Sequence, residues 1–286
     1  MKRNFIILSA LLILAACNNS KDLNSWYCHG LSGKVKTLVS KCYEATERVG
    51  EVEKMNIIEY YDSEYEIPLH PAYLAEYNEE GNVVKFTTYD EEGERLSVVK
   101  SEYIGNNQVA QSAYDSDGKV YYSWKLEVNN DKVVNYTQFN EHKIGNKVDS
   151  DFEFDGYLIK AYNTYEDSVL ISRTENKFYK NRLSESIRKD TNGNVTYQQN
   201  QEWTEAGQLI YQKCTSEGED KLIINCEYDN EDRLVKYTRR GEWSSRDANY
   251  TFKYTSFDKH GNWLSRVIYS NDKAYIVEER TIEYYD

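Results

Sequence analysis

The chain has 286 residues, with 48 Asp and Glu against 35 Lys and Arg, a net charge of −13 and no Lys/Arg-rich run. That balance argues against nucleic-acid binding, which needs clustered cations to meet phosphates. A mean hydropathy of −0.81 excludes a bundle of membrane-spanning helices, and an aromatic content of 14%, with 27 Tyr, argues against disorder.

The first element is an address. Lys2 and Arg3 precede an apolar run from Phe5 to Leu14, then the small residues Ala15 and Ala16, the pattern of a secretory signal peptide. Leu14-Ala15-Ala16-Cys17 resembles the lipobox of bacterial lipoproteins. The resemblance implies cleavage before Cys17 and acyl chains on its sulfur and new amino terminus, and several chains anchor firmly where one is marginal. Residues 1–16 are thus expected to be a lipoprotein signal peptide, 17–30 a lipidated polar tether, and 31–286 a single β-repeat domain. Asn18 follows Cys17, so the Asp that retains enterobacterial lipoproteins in the inner membrane is missing. Lys21-Asp22 resembles the surface-export signal of Bacteroidetes lipoproteins. The expected location is the bacterial outer membrane, reached through the lipid on Cys17, on either its surface or its periplasmic side.

Four further cysteines, Cys28, Cys42, Cys214 and Cys226, suit an exported chain. They allow three disulfide connectivities. Cys214 and Cys226 bracket a predicted turn at Ser216–Asp220, which suggests a cross-strand bridge and leaves Cys28 to pair with Cys42. Buried thiols are the equal alternative.

From residue 77 onward a unit recurs: an aromatic, a few polar residues, Gly, then an apolar residue. It reads Tyr77-Asn78-Glu79-Glu80-Gly81-Asn82-Val83, then Tyr89-Asp90-Glu91-Glu92-Gly93, then Tyr114-Asp115-Ser116-Asp117-Gly118-Lys119-Val120. Asp190-Thr191-Asn192-Gly193-Asn194-Val195, Trp203-Thr204-Glu205-Ala206-Gly207, Tyr228-Asp229-Asn230-Glu231-Asp232-Arg233-Leu234 and Phe257-Asp258-Lys259-His260-Gly261-Asn262-Trp263 follow. Asp or Asn opens a turn by bonding the backbone ahead of it, and Gly supplies the left-handed closing residue. Between turns, Leu222, Ile224, Cys226 and Tyr228 alternate with polar neighbours, as do Tyr250, Phe252 and Tyr254, the period of half-buried antiparallel strands. The expected fold is all-β: an elongated, curved antiparallel β-meander of about seventeen to twenty short strands in consecutive hairpins, with no substantial helix after the signal peptide. Tyr-rich faces suggest a thin core rather than a two-layer sandwich.

Tyr89-Asp90 with Gly93, Tyr228-Asp229 with Arg233-Leu234, and the closing Phe257–Arg266 unit resemble the tyrosine-aspartate (YD) repeats of the RHS family, and Leu31–Thr37 resembles the start of small RHS-like Bacteroidetes lipoproteins. The resemblance implies a meandering sheet that spirals into a shell in large members. This chain is too short for such a shell, and its repeats degenerate between Asn129 and Lys189.

No constellation carrying chemistry emerges. There is no His-Glu-x-x-His, no nucleophile elbow and no phosphate loop, so no catalytic residue, metal or cofactor is expected. Trp243, in a polar loop with Arg239, Arg240 and Arg246, is the best candidate for a partner-binding surface. Asp167-Ser168-Val169 resembles the O-glycosylation site of exported Bacteroidetes proteins, which marks Ser168. The sequence therefore predicts a lipid-anchored envelope protein with a non-enzymatic binding or scaffold role. A glycan-binding or glycan-active protein is the first alternative, and an accessory or immunity-like protein of an RHS-type secreted system the second.

Overall fold

The computed structural model describes residue 25 and residues 30–58, 72–90, 92–130, 132–141, 147–243 and 247–286. Cys17, Cys28 and Arg246 lie outside the described residues. So do the signal peptide and nearly all of the tether.

The elements form one 19-stranded sheet, and every pairing is antiparallel. The strands are β1 (Val35–Arg48), β2 (Glu51–Ile57), β3 (Ala72–Tyr77), β4 (Val83–Tyr89), β5 (Arg95–Ile104), β6 (Asn107–Tyr114), β7 (Val120–Asn129), β8 (Lys132–Asn140), β9 (Lys147–Asp155) and β10 (Leu158–Glu166). They continue as β11 (Val169–Tyr179), β12 (Arg182–Asp190), β13 (Val195–Trp203), β14 (Leu209–Ser216), β15 (Glu219–Tyr228), β16 (Leu234–Arg240), β17 (Ala248–Phe257), β18 (Trp263–Ser270) and β19 (Lys273–Tyr284).

The sheet is not elongated; it curls into a nearly closed, barrel-like ring. One edge of β1 pairs with β19, from Val35 opposite Tyr284 to Glu44 opposite Ile276. The other edge pairs first with β3, Thr37 opposite Glu76, and then with β2, Thr46 opposite Glu53. β2 and β3 thus lie end to end as one interrupted row. Each later strand pairs with its successor, but among the described residues no ladder joins β8 to β9. There the seam is spanned by side chains: the rings of Tyr136 and Phe152 approach to 4.6 Å, with Trp124 and Tyr162 flanking them. The physical reason for curling is that a single sheet with one apolar face has no second layer to cover it. Bending that face inward buries it and removes sheet edges at the same time.

Strand alternation separates the two walls. On β17, Ala248, Tyr250 and Phe252 are buried, while Asn249, Thr251 and Lys253 are exposed. The concave wall holds two apolar clusters. One gathers Val35, Leu38, Ala75, Phe86, Val99 and Ala113. The other gathers Cys42, Tyr237, Tyr250, Phe252, Ile268 and Ile276. The convex wall carries ion pairs around much of the ring, among them Lys54 with Glu279, Lys85 with Glu76, Arg173 with Glu153, and Lys236 with Glu227.

The repeated turn has one geometry at seven places. The first residue's N–H donates to the fifth residue's carbonyl at 2.8–3.0 Å. Its side-chain oxygen accepts the fifth residue's N–H at 2.7–3.1 Å. The fourth residue is left-handed. Six times it is Gly; in the turn from β15 to β16 it is Asp232, at φ 59°. Asp232→Gly is therefore expected to stabilise the protein by about 0.5–1 kcal/mol, the left-handed cost relieved less the entropy of a Gly. A urea midpoint that rises at unchanged slope checks it; an unchanged or lowered midpoint refutes it. Where the sequence repeat fades, two-residue turns take over: Asp167-Ser168 (φ 50° and 66°) and Lys180-Asn181 (φ 46° and 63°), the hairpin turns whose twist matches the strands.

The anticipated bridge between Cys214 and Cys226 does not form. Cys214 faces Leu222 on β15, whereas Cys226 faces Tyr237 on β16. Both are free, buried thiols. Flanking a turn is not enough for a bridge: the register must also set the two residues opposite each other, within the short reach of a disulfide.

Candidate functional site at the Trp243 loop

Trp243 stands just past the end of β16, where the ladder to β15 stops. The last pairs are Ile224 with Arg239 and Ile223 with Arg240. Alternation divides the predicted basic cluster. Arg239 lies on the concave wall with Ile224, and burial pulls its guanidinium below the ordinary arginine value, with Tyr250 opposing. Arg240 is exposed on the convex wall. The structure therefore does not bring Arg239 and Arg240 together as one patch.

Backbone contacts hold the loop. Gly241 lies so close to β15 that a Cβ would fall 2.4 Å from the Lys221 carbonyl oxygen, so no other residue fits without movement. The Trp243 N–H donates to that same carbonyl at 3.0 Å. Lys221 Nζ bridges Glu219 at 2.6 Å and Glu242 at 2.7 Å. Its hydrogen bonds to these two carboxylates raise its pKa. The Trp243 ring stacks on Tyr197, with centroids 5.9 Å apart and planes 14° apart, and Arg188 sits against the same tyrosine at 5.7 Å. Trp243 still keeps 51% of its surface exposed. A hollow of about 460 Å³ opens beside the loop, lined by Asp220, Leu222, Ile223, Arg240, Gly241 and Asp247. Asp220 is committed to an ion pair with Lys213 at 2.7 Å.

The other described tryptophans are used inside the fold. Trp124 joins the aromatic seam. Trp203 donates its Nε1–H to the Leu183 carbonyl at 2.8 Å and stacks with Arg182. Trp263 lies beneath Arg266 and Arg280, at 4.5 and 3.4 Å from its centroid. Ser168 is exposed in its two-residue turn. Among the described residues no cluster of three or more His, Cys, Asp or Glu is arranged to hold a metal.

A second polar cluster, on the concave wall, was missed in the sequence. Glu278 is 1% exposed. Its Oε2 accepts from Arg266 Nε at 2.7 Å and lies 2.6 Å from Arg266 Nη2. Its Oε1 accepts the Ser40 hydroxyl at 2.8 Å, and Arg280 Nε stands 3.8 Å away. Burial works against the Glu278 charge, but Arg266 and then Arg280 outweigh it and hold the carboxyl below its ordinary value. Burial likewise works against Arg266, and Glu278 outweighs it. Beside them, burial pushes the Cys42 thiol well up, with the Glu278 carboxylate adding to the effect. The cluster ties β1, β18 and β19 together. The available signal was a Glu and two Arg at inward positions of strands otherwise lined by Ile268 and Ile276.

No protein-family model matches the chain, and no curated protein matches it. Solved structures show a distant likeness. A porin-like protein from Bacteroides uniformis superposes with a TM-score of 0.38 at 8% identity, covering 88% of this chain and 99% of that one. A porin-like protein from Bacteroides vulgatus gives 0.28 at 11% identity, covering 86% and 99%. The Tc holotoxin pore of Photorhabdus luminescens gives 0.24 at 14% identity, over 71% of this chain and 12% of that one. The likeness extends to β-rich architecture and no further.

Proposed function

We propose that this protein is a non-enzymatic binding or scaffold protein of the bacterial envelope, held at the outer membrane by lipid on Cys17, with the Trp243 loop as its docking surface. The carrying observation is the half-exposed Trp243, stacked on Tyr197. An aromatic in that setting is costly to leave wet and is the residue type that dominates binding surfaces. The use of the other described tryptophans in packing within the fold favours this reading over a long aromatic groove. The ion-paired convex wall suits a body that stays in water while only its tether meets lipid.

Two variants in the native cell test this. Cys17→Ala is expected to move the protein out of the membrane pellet; continued pelleting refutes the lipid anchor. Trp243→Ala, purified with its near-ultraviolet signal intact, is expected to lose an envelope component that the parent protein retains in affinity capture. Identical captures by both proteins refute the docking surface.

A further inference from the structure

We infer that the ring stands on the membrane by the end that bears the tether, and that the Trp243 loop, at the opposite end, meets a water-soluble partner beyond the lipid head groups. This rests on the Cys17 anchor of the reading above and says on which side of the body the partner of the docking surface lies.

Strand direction divides the turns between two ends. β1 leaves one end of the ring at Val35, and Thr37 opposite Glu76 sets the turn at 78–82 beside that start. Every later pairing is antiparallel, so the turns at 204–208, 229–233 and 258–262 lie at the same end. The turns at 90–94, 115–119 and 190–194 lie at the other end, together with Gly241 and Trp243.

The chain ahead of β1 is fastened to the first of these ends at several points. Ser25 is 4% exposed, and its hydroxyl accepts the Val83 N–H at 3.1 Å. Leu31 packs into the apolar cluster with Val35 and Tyr77. Asn262 holds both the N–H and the carbonyl of Ser32, and the Lys34 carbonyl accepts the Tyr285 N–H at 2.8 Å.

Ser25 is eight residues from Cys17. Eight residues reach at most about 28 Å even when fully extended, so lipid on Cys17 keeps this end near the bilayer. β15 and β17 have 10 residues each, which is about 30 Å of strand between the two ends before tilt. A body of net charge −13 is repelled by anionic head groups rather than drawn down onto them. The half-exposed Trp243, the fully exposed Val49 between β1 and β2, and the exposed Ser168 all belong to the outer end. A partner of Trp243 is therefore met on the water side, out of reach of the lipid.

The test uses the full chain, lipidated in the native cell and reconstituted into vesicles of phosphatidylethanolamine and phosphatidylglycerol that carry a rhodamine-labelled lipid. A donor dye is placed on Lys259→Cys, at the tether end, or on Asp117→Cys, at the outer end; both residues are exposed. Cys28→Ser is included in each variant, and Cys42, Cys214 and Cys226 are buried. Both variants are first matched to the parent by near-ultraviolet signal. Energy transfer to the lipid dye is expected to be about twofold or more greater from Lys259→Cys, the consequence of about 30 Å of strand. Lengthening the tether with Gly-Ser repeats after Asn19 is expected to lower that transfer. The part of the tryptophan emission that Trp243→Ala removes is expected to be insensitive to brominated lipid. Equal transfer from the two positions, greater transfer from Asp117→Cys, no response to the longer tether, or quenching of Trp243 by brominated lipid overturns the inference. If one of these occurs while the parent floats with the vesicles and Cys17→Ala does not, the anchor stands and the orientation alone fails. If the parent does not float, or Cys17→Ala floats equally well, the anchor falls and the orientation with it.

Discussion

Glu278→Gln is expected to destabilise the protein by about 3–5 kcal/mol, the cost of leaving a buried cation without its counter-charge. For a domain of this size that is on the order of a 10 °C fall in melting temperature. The substitution keeps the shape and removes the charge that holds Arg266 and Arg280. Glu279→Gln is the control. Its residue is the next along β19, points outward, and pairs with Lys54 at 2.8 Å with both side chains 41% exposed, so about 1 kcal/mol or less is expected. The acid limb gives an independent reading. The Glu278 carboxyl is held below its ordinary 4.5, so its contribution is present above that value and is lost as pH falls through the lower folded value. The Gln variant should lack that part of the acid dependence. Equal melting of the two variants would mean that the two arginines do not depend on Glu278.

Ending the chain at Asp272 is expected to abolish the native fold. The cut removes β19 and with it two ladders at once, to β18 and to β1. It also removes Ile276 and Glu278, among the most deeply buried side chains, and Tyr284, which hydrogen-bonds Asp258 and Asn262. Asn262 in turn clasps the Ser32 backbone, accepting its N–H at 2.7 Å and donating to its carbonyl at 2.8 Å. The apolar face of β1, with Val35, Leu38 and Cys42, would be left uncovered on that side. Losses of this extent exceed the roughly 5–15 kcal/mol that holds a typical domain together. Dye binding to exposed apolar surface, loss of the near-ultraviolet signal and rapid proteolysis are the expected signs. A truncated chain that melts cooperatively at the parent temperature would show that the ring does not need its closing strand.

Strands and turns were legible where their causes are local. The alternation at Leu222, Ile224, Cys226 and Tyr228 is the concave row of β15, and that at Tyr250 and Phe252 belongs to β17. The Asp, Asn or, at residue 204, Thr that opens each long turn bonds a backbone only four residues away, so the motif and the geometry are the same thing. The stretch from Asn129 to Lys189 looked degenerate because two-residue turns such as Asp167-Ser168 adopt left-handed backbone without Gly. The candidate site was half legible. Trp243 was singled out from its polar loop, and it is exposed, but the arginines grouped with it were read as neighbours in sequence when the pleat of β16 sends Arg239 inward and Arg240 outward. The bridge between Cys214 and Cys226 failed for a related reason: proximity to a turn does not set register.

By itself the sequence determined the all-β character, the number of strands to within a few, and the positions of the long turns. These follow from period-two patterning and from hydrogen bonds spanning a few residues. Only the tertiary structure decided that the meander closes on itself, because the joining of β1 to β19 pairs residues some 240 positions apart, and no local pattern encodes which strand the last one will meet. That closure also gathered Ser40, Arg266, Glu278 and Arg280 into one buried cluster. The energy of a charge inside a fold depends on what surrounds it in space, and along the chain those residues look like ordinary members of a polar, acidic sequence.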